Sequence, residues 1–350
     1  MLITGLSSFW GGRVAQALEA DPSVEVIVGL DTTEPTVALE RTEFVRSDDN
    51  YSILARLMKA TQVDTVVHAG LVVDSTRMAD RRIHEHNVIG TMNLLAAAAA
   101  EASAVTTLVV KASALVYGSS PRDPTWFRET TQRVRAPETR VERSLVEVES
   151  YLQAFSEENP RVRVAVLRFA NVLGGHLVTP MSQAMAMPLI PQLAGFDPQL
   201  QFVEEHDVVR AINFALDHNI AGAYNVAGDG RLPWSEILAI VGKRPLLLPP
   251  LFTAAVTGPL GRIGLLDLPP EVLDLLRYGR GIDNRRLKSA GFSYRYTTAG
   301  AVERFTEMQR LRRAVGTSEP GYRYQSDVET FFRHSPAIVR SADRVSHARS

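Results

Sequence analysis

Residues 4–12 read Thr-Gly-Leu-Ser-Ser-Phe-Trp-Gly-Gly and follow a short apolar run. Gly5 and Gly11 bracket a turn of G-x-x-x-x-x-G spacing with Ser8 at its midpoint. A strand-to-helix turn of this kind brings backbone close to a diphosphate and aims the positive end of the following helix at it. Glycines also occupy such turns for steric reasons alone. Asp31 ends the next apolar run, twenty residues after Gly11. A carboxylate there can accept both ribose hydroxyls and would repel a 2′-phosphate, so turn and acid together point to a dinucleotide cofactor, NAD rather than NADP.

Other chemistry is excluded by composition. The 350 residues contain no cysteine, which removes disulfides, thiolate metal sites and cysteine nucleophiles and fits a reducing, cytoplasmic setting. Lys plus Arg number 38 against 39 Asp plus Glu, so the basic footprint of a nucleic-acid binder is missing. His84 and His86 flank Glu85, but positions i and i+2 do not share a helix face, and no metal is expected. The N-terminal residues lack a basic stretch ahead of an apolar one, and no uninterrupted apolar segment of about 18 residues occurs, so neither a leader nor a membrane span is expected. Only four of the 38 basic residues are lysines: Lys59, Lys111, Lys243 and Lys288.

The elements needed to position these residues alternate. Strands are predicted at 2–4, 24–31, 65–69, 107–112 and 163–169, with helices at 12–20, 53–61, 83–102 and 140–157, an order that argues for an α/β fold. The expectation is a Rossmann-type doubly wound parallel sheet with a smaller interleaved C-terminal substrate lobe. The dinucleotide domain is assigned to 1–170 with returns to the sheet near 201–227, the lobe to 171–200 and 228–316, and a partly flexible extension to 317–350. Residues 245–270 are strongly apolar but broken by Pro, Gly and Arg262, which suits packing in the lobe or a greasy substrate pocket; membrane contact is not expected.

Seven blocks, in order, resemble one family. Thr4-Gly5-x-x-Ser8-x-x-Gly11 is similar to the TGxxGxxG fingerprint of the extended short-chain dehydrogenase/reductases, the NAD-dependent epimerase/dehydratase family of nucleotide-sugar 4-epimerases and their relatives. Val66-Val67-His68-Ala69-Gly70 resembles its cofactor-side strand four, and Asn87-Val88-x-Gly90-Thr91-x-Asn93-Leu94-Leu95 its NVxGTxNLL helix. Ser113-Ala114-Leu115-Val116-Tyr117-Gly118 is similar to SxxVYG, and Leu167-Arg168-Phe169-x-Asn171-Val172-x-Gly174 to LRxxNVxG. The segments from Phe202 to Val208 and from Tyr224 to Ala227 complete the set.

The resemblance implies NAD held by Gly5, Ser8, Gly11, Asp31, Asp48, His68, Ala69, Gly70, Asn87 and Phe169. It also implies Ser113 as the hydroxyl that polarises substrate, a nucleotide-sugar substrate, and a homodimer through the helices at 83–102 and 140–157. Family enzymes take the hydroxyl proton with the Tyr of a Y-x-x-x-K helix, whose Lys and the cationic nicotinamide lower a phenol pKa of about 10. Aligning Ser144 and Glu149 puts Val141 at the Tyr position and Leu145 at the Lys position. The residues four before the lysines are Ala55, Thr107, Ala239 and Asn284, so no Y-x-x-x-K exists in any register. Acid–base help of that kind contributes about 10²–10⁴ in rate. The stand-ins to be weighed are Glu142, expected in a surface ion pair with Arg140 or Arg143, His176, expected as an exposed loop residue, and Tyr117.

Three functions remain open on the sequence: an epimerase, dehydratase or related oxidoreductase with an atypical active site, a catalytically degenerate dinucleotide sensor or scaffold, and an oxidoreductase of a lipid-linked or sterol-like alcohol.

Overall fold

The computed structural model describes residues 1–124, 126–249 and 268–315. Seven strands form the main sheet: β1 (Leu2–Thr4), β2 (Ile27–Asp31), β3 (Thr42–Arg46), β4 (Thr65–His68), β5 (Thr107–Ser113), β6 (Arg163–Phe169) and β7 (Gly222–Val226). Every neighbouring pair is parallel, in the order β7-β6-β5-β4-β1-β2-β3. The order reverses between β1 and β4, and ligands bind at such a switch point, beyond the carboxyl ends of the strands. This is the Rossmann-type α/β architecture expected. β3 was not among the strands predicted; TEFVR is a short edge strand whose apolar part is Phe44 and Val45 alone, flanked by Glu43 and Arg46.

Both faces of the sheet are covered, so β4 and β5 read as nearly continuous Val and Leu. Lys111, in the middle of β5, is the exception. One face packs on α2 (Tyr51–Thr61), α4 (Gly90–Ala99) and α5 (Arg140–Glu158). The other packs on α1 (Phe9–Glu19) and α7 (Glu205–Asp217). Helix α5 starts with a capping box in which Thr139 accepts from the Glu142 amide and Glu142 reaches back, and its buried stripe is Val141, Ser144, Leu145, Val148, Leu152 and Phe155.

The single helix predicted at 83–102 is three pieces: α3 (Asp80–His84), a π turn at Glu85–Ile89, and α4. The wider turn carries His86 and Asn87, both bonded to the chain just after β4.

A third core belongs to the later part of the chain, among α6 (Pro180–Ala186), α8 (Trp234–Val241), α9 (Pro270–Tyr278) and α11 (Thr298–Val315), with α10 (Arg285–Ser289) against β7. The expected strand at 201–203 forms as Phe202–Glu204, but it pairs with Asn171–Leu173 in a separate two-stranded parallel sheet rather than returning to the main one. Of the apolar stretch 245–270, residues up to Leu248 complete a strand (Arg244–Leu248) paired with Leu189–Leu193, while 250–267 lie outside the described residues, as does the extension from 316. No helix among the described residues is long and apolar enough to cross a membrane.

Candidate functional site

The β1–α1 turn is built by contact. Gly5 has φ +73°, and a Cβ there would lie 2.2 Å from Gly70 Cα, so only glycine fits. A Cβ on Gly11 would lie 2.1 Å from the Gly5 carbonyl oxygen, which lets α1 seat directly on the turn. Ser8 caps α1: its Oγ accepts from the Gly11 amide at 3.0 Å and donates to the Ala69 carbonyl at 3.4 Å. The amides of Phe9 and Trp10 in the same first turn have no intrahelical acceptor.

Two cavities open on either side of this turn. The one of about 430 Å³ is walled by Gly5, Asp31, Ser47, Asp48, Asp49 and Asn50. The Asp31 carboxylate is held in place by the Ser7 amide at 2.9 Å and the Thr32 amide at 2.7 Å. Burial and the neighbouring charges of Asp31 and Asp48 raise the Asp49 carboxyl to about 6, against the opposing pull of His86. Sequence reasoning missed Asp49; its signal was the doubled acid at the end of β3.

The second cavity, of about 210 Å³, is bounded by Ser8, Ala69 and Gly70 on the sheet side, with Ser113 and Phe169 across from them. Ser113 caps the 3₁₀ turn Ala114–Tyr117 by accepting from the Leu115 amide at 3.2 Å, and its own hydroxyl proton has no acceptor among the described residues. The lobe closes this cavity with Glu271 and Arg280. Glu271 takes the Ser75 hydroxyl on Oε1 at 2.6 Å, while Oε2 is buried with no hydrogen-bond partner among the described residues, and burial raises its pKa. Lys111 is on the same wall, 3% exposed; nothing in the motifs marked it as a site residue.

The remaining expected site residues lie behind these walls and line neither cavity. Besides Gly11 they are His68 and Asn87. His68 joins Thr4 (2.6 Å, Nδ1) to Thr91 (3.1 Å, Nε2). Thr91 gives its own proton to the Asn87 carbonyl, so His68 Nε2 must donate and Nδ1 accept; burial drives the imidazole down to about 3 and keeps it neutral. Asn87 bonds both Val72 backbone groups at 2.8 Å and the Ser144 hydroxyl at 3.0 Å. These side chains brace the cavity from behind by tying β1, β4, the π turn and α5 together.

The stand-ins for a proton acceptor resolve differently. Tyr117 is buried, its hydroxyl donating to Asn225 and accepting from Arg168, both at 2.7 Å; burial pushes it up to about 12, and it does not reach the cavity. Glu142 is not a surface residue: it is 6% exposed and pairs with Arg133 at 3.1 Å because its cap geometry turns the carboxylate inward. His176 is half-buried against Glu205 at 2.8 Å. Glu204, Glu205 and His206 bring ligating atoms within 4.8 Å of one another, but Glu204 is engaged by His206 and Arg304, and Glu205 by His176. Val141 and Leu145 are both buried in the core under α5.

The sequence profile described as the NAD dependent epimerase/dehydratase family matches residues 1–227. An uncharacterised protein of Mycobacterium tuberculosis is 31% identical over 326 residues, covering 91% of this chain and 86% of its own. Among solved structures, a UDP-glucose 4-epimerase of Thermotoga maritima with UDP-glucose superposes with TM-score 0.68 at 18% identity, covering 89% of this chain and 99% of that one. A Thermus thermophilus UDP-glucose 4-epimerase complexed with NAD gives TM-score 0.68 at 20% identity, with 88% and 98% covered. Motif order, sheet order and profile thus agree, and the chain belongs to the NAD dependent epimerase/dehydratase family.

Proposed function

We propose that this protein binds NAD along the crevice between β1 and β4 and acts on a nucleotide-sugar, or a related hydroxylated substrate, by nicotinamide-dependent oxidation and reduction in an active site of atypical composition. The observation that carries this reading is the placement of Asp31 and Ser113 on the walls of two cavities that flank the Gly5–Gly70 contact. The residues fit the cofactor. Asp31 is oriented by two amides toward ribose hydroxyls, Asp48 stands on the adenosine side, and Phe9 and Trp10 offer amides to the diphosphate. Phe169 and Ser113 then stand at the nicotinamide end.

Bound NAD would supply the electron acceptor. The chain's own part is to orient the substrate: the free Ser113 proton meets the substrate oxygen, and the lobe excludes water with Leu275 and Val272. The similar solved structures are of enzymes named for UDP-glucose, which supports the substrate class. Residues 1–170 with the 222–226 strand would hold the cofactor and the later core the substrate. A homodimer through α4 and α5 is the assembly that the family resemblance implies, and the cysteine-free composition fits a cytoplasmic setting. Incubation with UDP- and dTDP-hexoses tests the reading: a 4-epimer or 4-keto product supports it, and no turnover on any of them refutes the enzymatic part.

A second reading, a dinucleotide sensor or scaffold, is favoured by Val141 and Leu145, which put no proton acceptor at the expected helix position. It requires thermal stabilisation by NAD with no reduction of the nicotinamide by any substrate. The lipid-linked reading rested on residues 245–270, most of which lie outside the described residues.

A further inference from the structure

Lys111 has no sequence motif around it, yet it is the most buried lysine among the described residues. It is on central strand β5, 3% exposed, and lines the same cavity as Ser113. The two are separated by one residue, so they project from the same face of the strand about 7 Å apart. Val110 and Ala112 point to the opposite core, which fixes the direction of Lys111. Among the described residues its ammonium has no hydrogen-bond or ion-pair partner; its contact is the Trp10 ring, 5.8 Å to the centroid. A buried cation without an anion is costly, and proteins rarely keep one without a use for it.

We propose that Lys111 is the proton acceptor of this active site, doing from β5 what the family's tyrosine does from the helix where this chain has Val141. The proposal rests on the reading of the site as an NAD-dependent one. The substrate alcohol would lose its C–H bond with the electron pair taken by the oxidised nicotinamide, its O–H proton would pass to the neutral Lys111 Nζ, and a C=O bond would form. The reverse transfer returns both. The nicotinamide and Lys111 together carry one positive charge before and after: on the nicotinamide with neutral lysine, then on the lysinium with neutral dihydronicotinamide, so the transfer adds no net charge to the cavity.

The surroundings suit that cycle. Burial and Arg77 lower the Lys111 ammonium to about 8, so roughly a tenth of it is neutral at pH 7. The other charged groups facing the cavity are Asp74 and Arg77 from the chain after β4, and Glu271 and Arg280 from the lobe; α1 presents the Trp10 ring and Ser8, and α6 presents Pro180 and Met181.

Four lysines make the group directly observable. In protein labelled with ¹³C-lysine, the Lys111 Cε signal, assigned by its loss in Lys111→Met, is titrated free and with NAD⁺, NADH or ADP-ribose. The expected result is a midpoint at least one pH unit lower with NAD⁺ than with NADH, tenfold in the proton equilibrium, because only the oxidised ring carries a charge beside it. Lys111→Met should keep thermal stabilisation by NAD and lose at least a hundredfold in turnover. Equal upward shifts with NAD⁺, NADH and ADP-ribose would assign Lys111 to the diphosphate and overturn the proposal, as would no shift with any of them. Absence of thermal stabilisation by every nucleotide would refute the dinucleotide reading itself, a failure distinct from stabilisation without a charge-dependent shift.

Discussion

The Ser8 hydroxyl accepts the amide proton of Gly11 at 3.0 Å, within the turn that faces the crevice. The cap stabilises α1 but occupies one of the donors a diphosphate would use. Ser8→Gly removes the side chain at a helix cap where glycine costs only a few tenths of a kcal/mol. The expected outcome is near-unchanged Tm in the free protein and several-fold tighter NAD binding by calorimetry; weaker binding would mean that the hydroxyl itself holds the cofactor.

Asp31 is aimed by two backbone donors, so its loss should be felt in affinity rather than in folding. Hydrogen bonds to a charged group contribute about 1.5–3 kcal/mol. Asp31→Asn is expected to weaken NAD binding by roughly ten- to a hundredfold and to narrow the preference over NADP. Calorimetric titration with both nucleotides checks this, and an unchanged NAD affinity would remove Asp31 from the site.

Arg168 and Glu149 form a bidentate pair, each about one-seventh exposed, with Arg168 Nη1 donating to the Tyr117 hydroxyl and the Glu129 carbonyl. Removing one partner strands the other in the interior, so Arg168→Met should cost about 3–5 kcal/mol in urea unfolding. The double variant Arg168→Met with Glu149→Leu should recover much of the loss. Additive losses would show that the pair is not coupled.

The buried acid–base groups predict the pH dependence of stability. His68 is neutral in the fold down to about 3 but takes a proton near 6.5 when unfolded. The unfolded chain therefore binds more protons between those values, and stability falls as pH drops through that window, by about 1.4 kcal/mol per unit from this group. His68→Gln should flatten that limb in denaturation measured from pH 7 to 4.

Asp49 acts in the opposite sense. Its folded value near 6 lies above the unfolded one, so it destabilises the fold increasingly as pH rises from about 4 to 6. Asp49→Asn is expected to raise stability at pH 8, by about 1–2 kcal/mol, and to leave it unchanged at pH 4. A lower stability at pH 8 would contradict the burial of a charge there.

The sequence by itself determined the sheet and one end of the crevice. Periodic apolar runs in β1, β2, β4, β5 and β6 and the glycines of the first turn are local signals, because burial on both faces and close backbone contact restrict which residues can stand there. The apolar run before it placed Asp31, and the family resemblance named Ser113; both end strands at the carboxyl edge. Other features depended on contacts between distant residues. That His68 and Asn87 brace the walls rather than line them follows from partners 23 and 15 positions away. The inward turn of Glu142 depends on Arg133, and the phenol of Tyr117 is taken by Asn225, more than a hundred residues on. Lys111 is the clearest case. In the chain it is one lysine among four with an ordinary neighbourhood, and only the packing of α1, the lobe and β5 around it leaves a cation buried beside Ser113 with no ion-pair partner among the described residues.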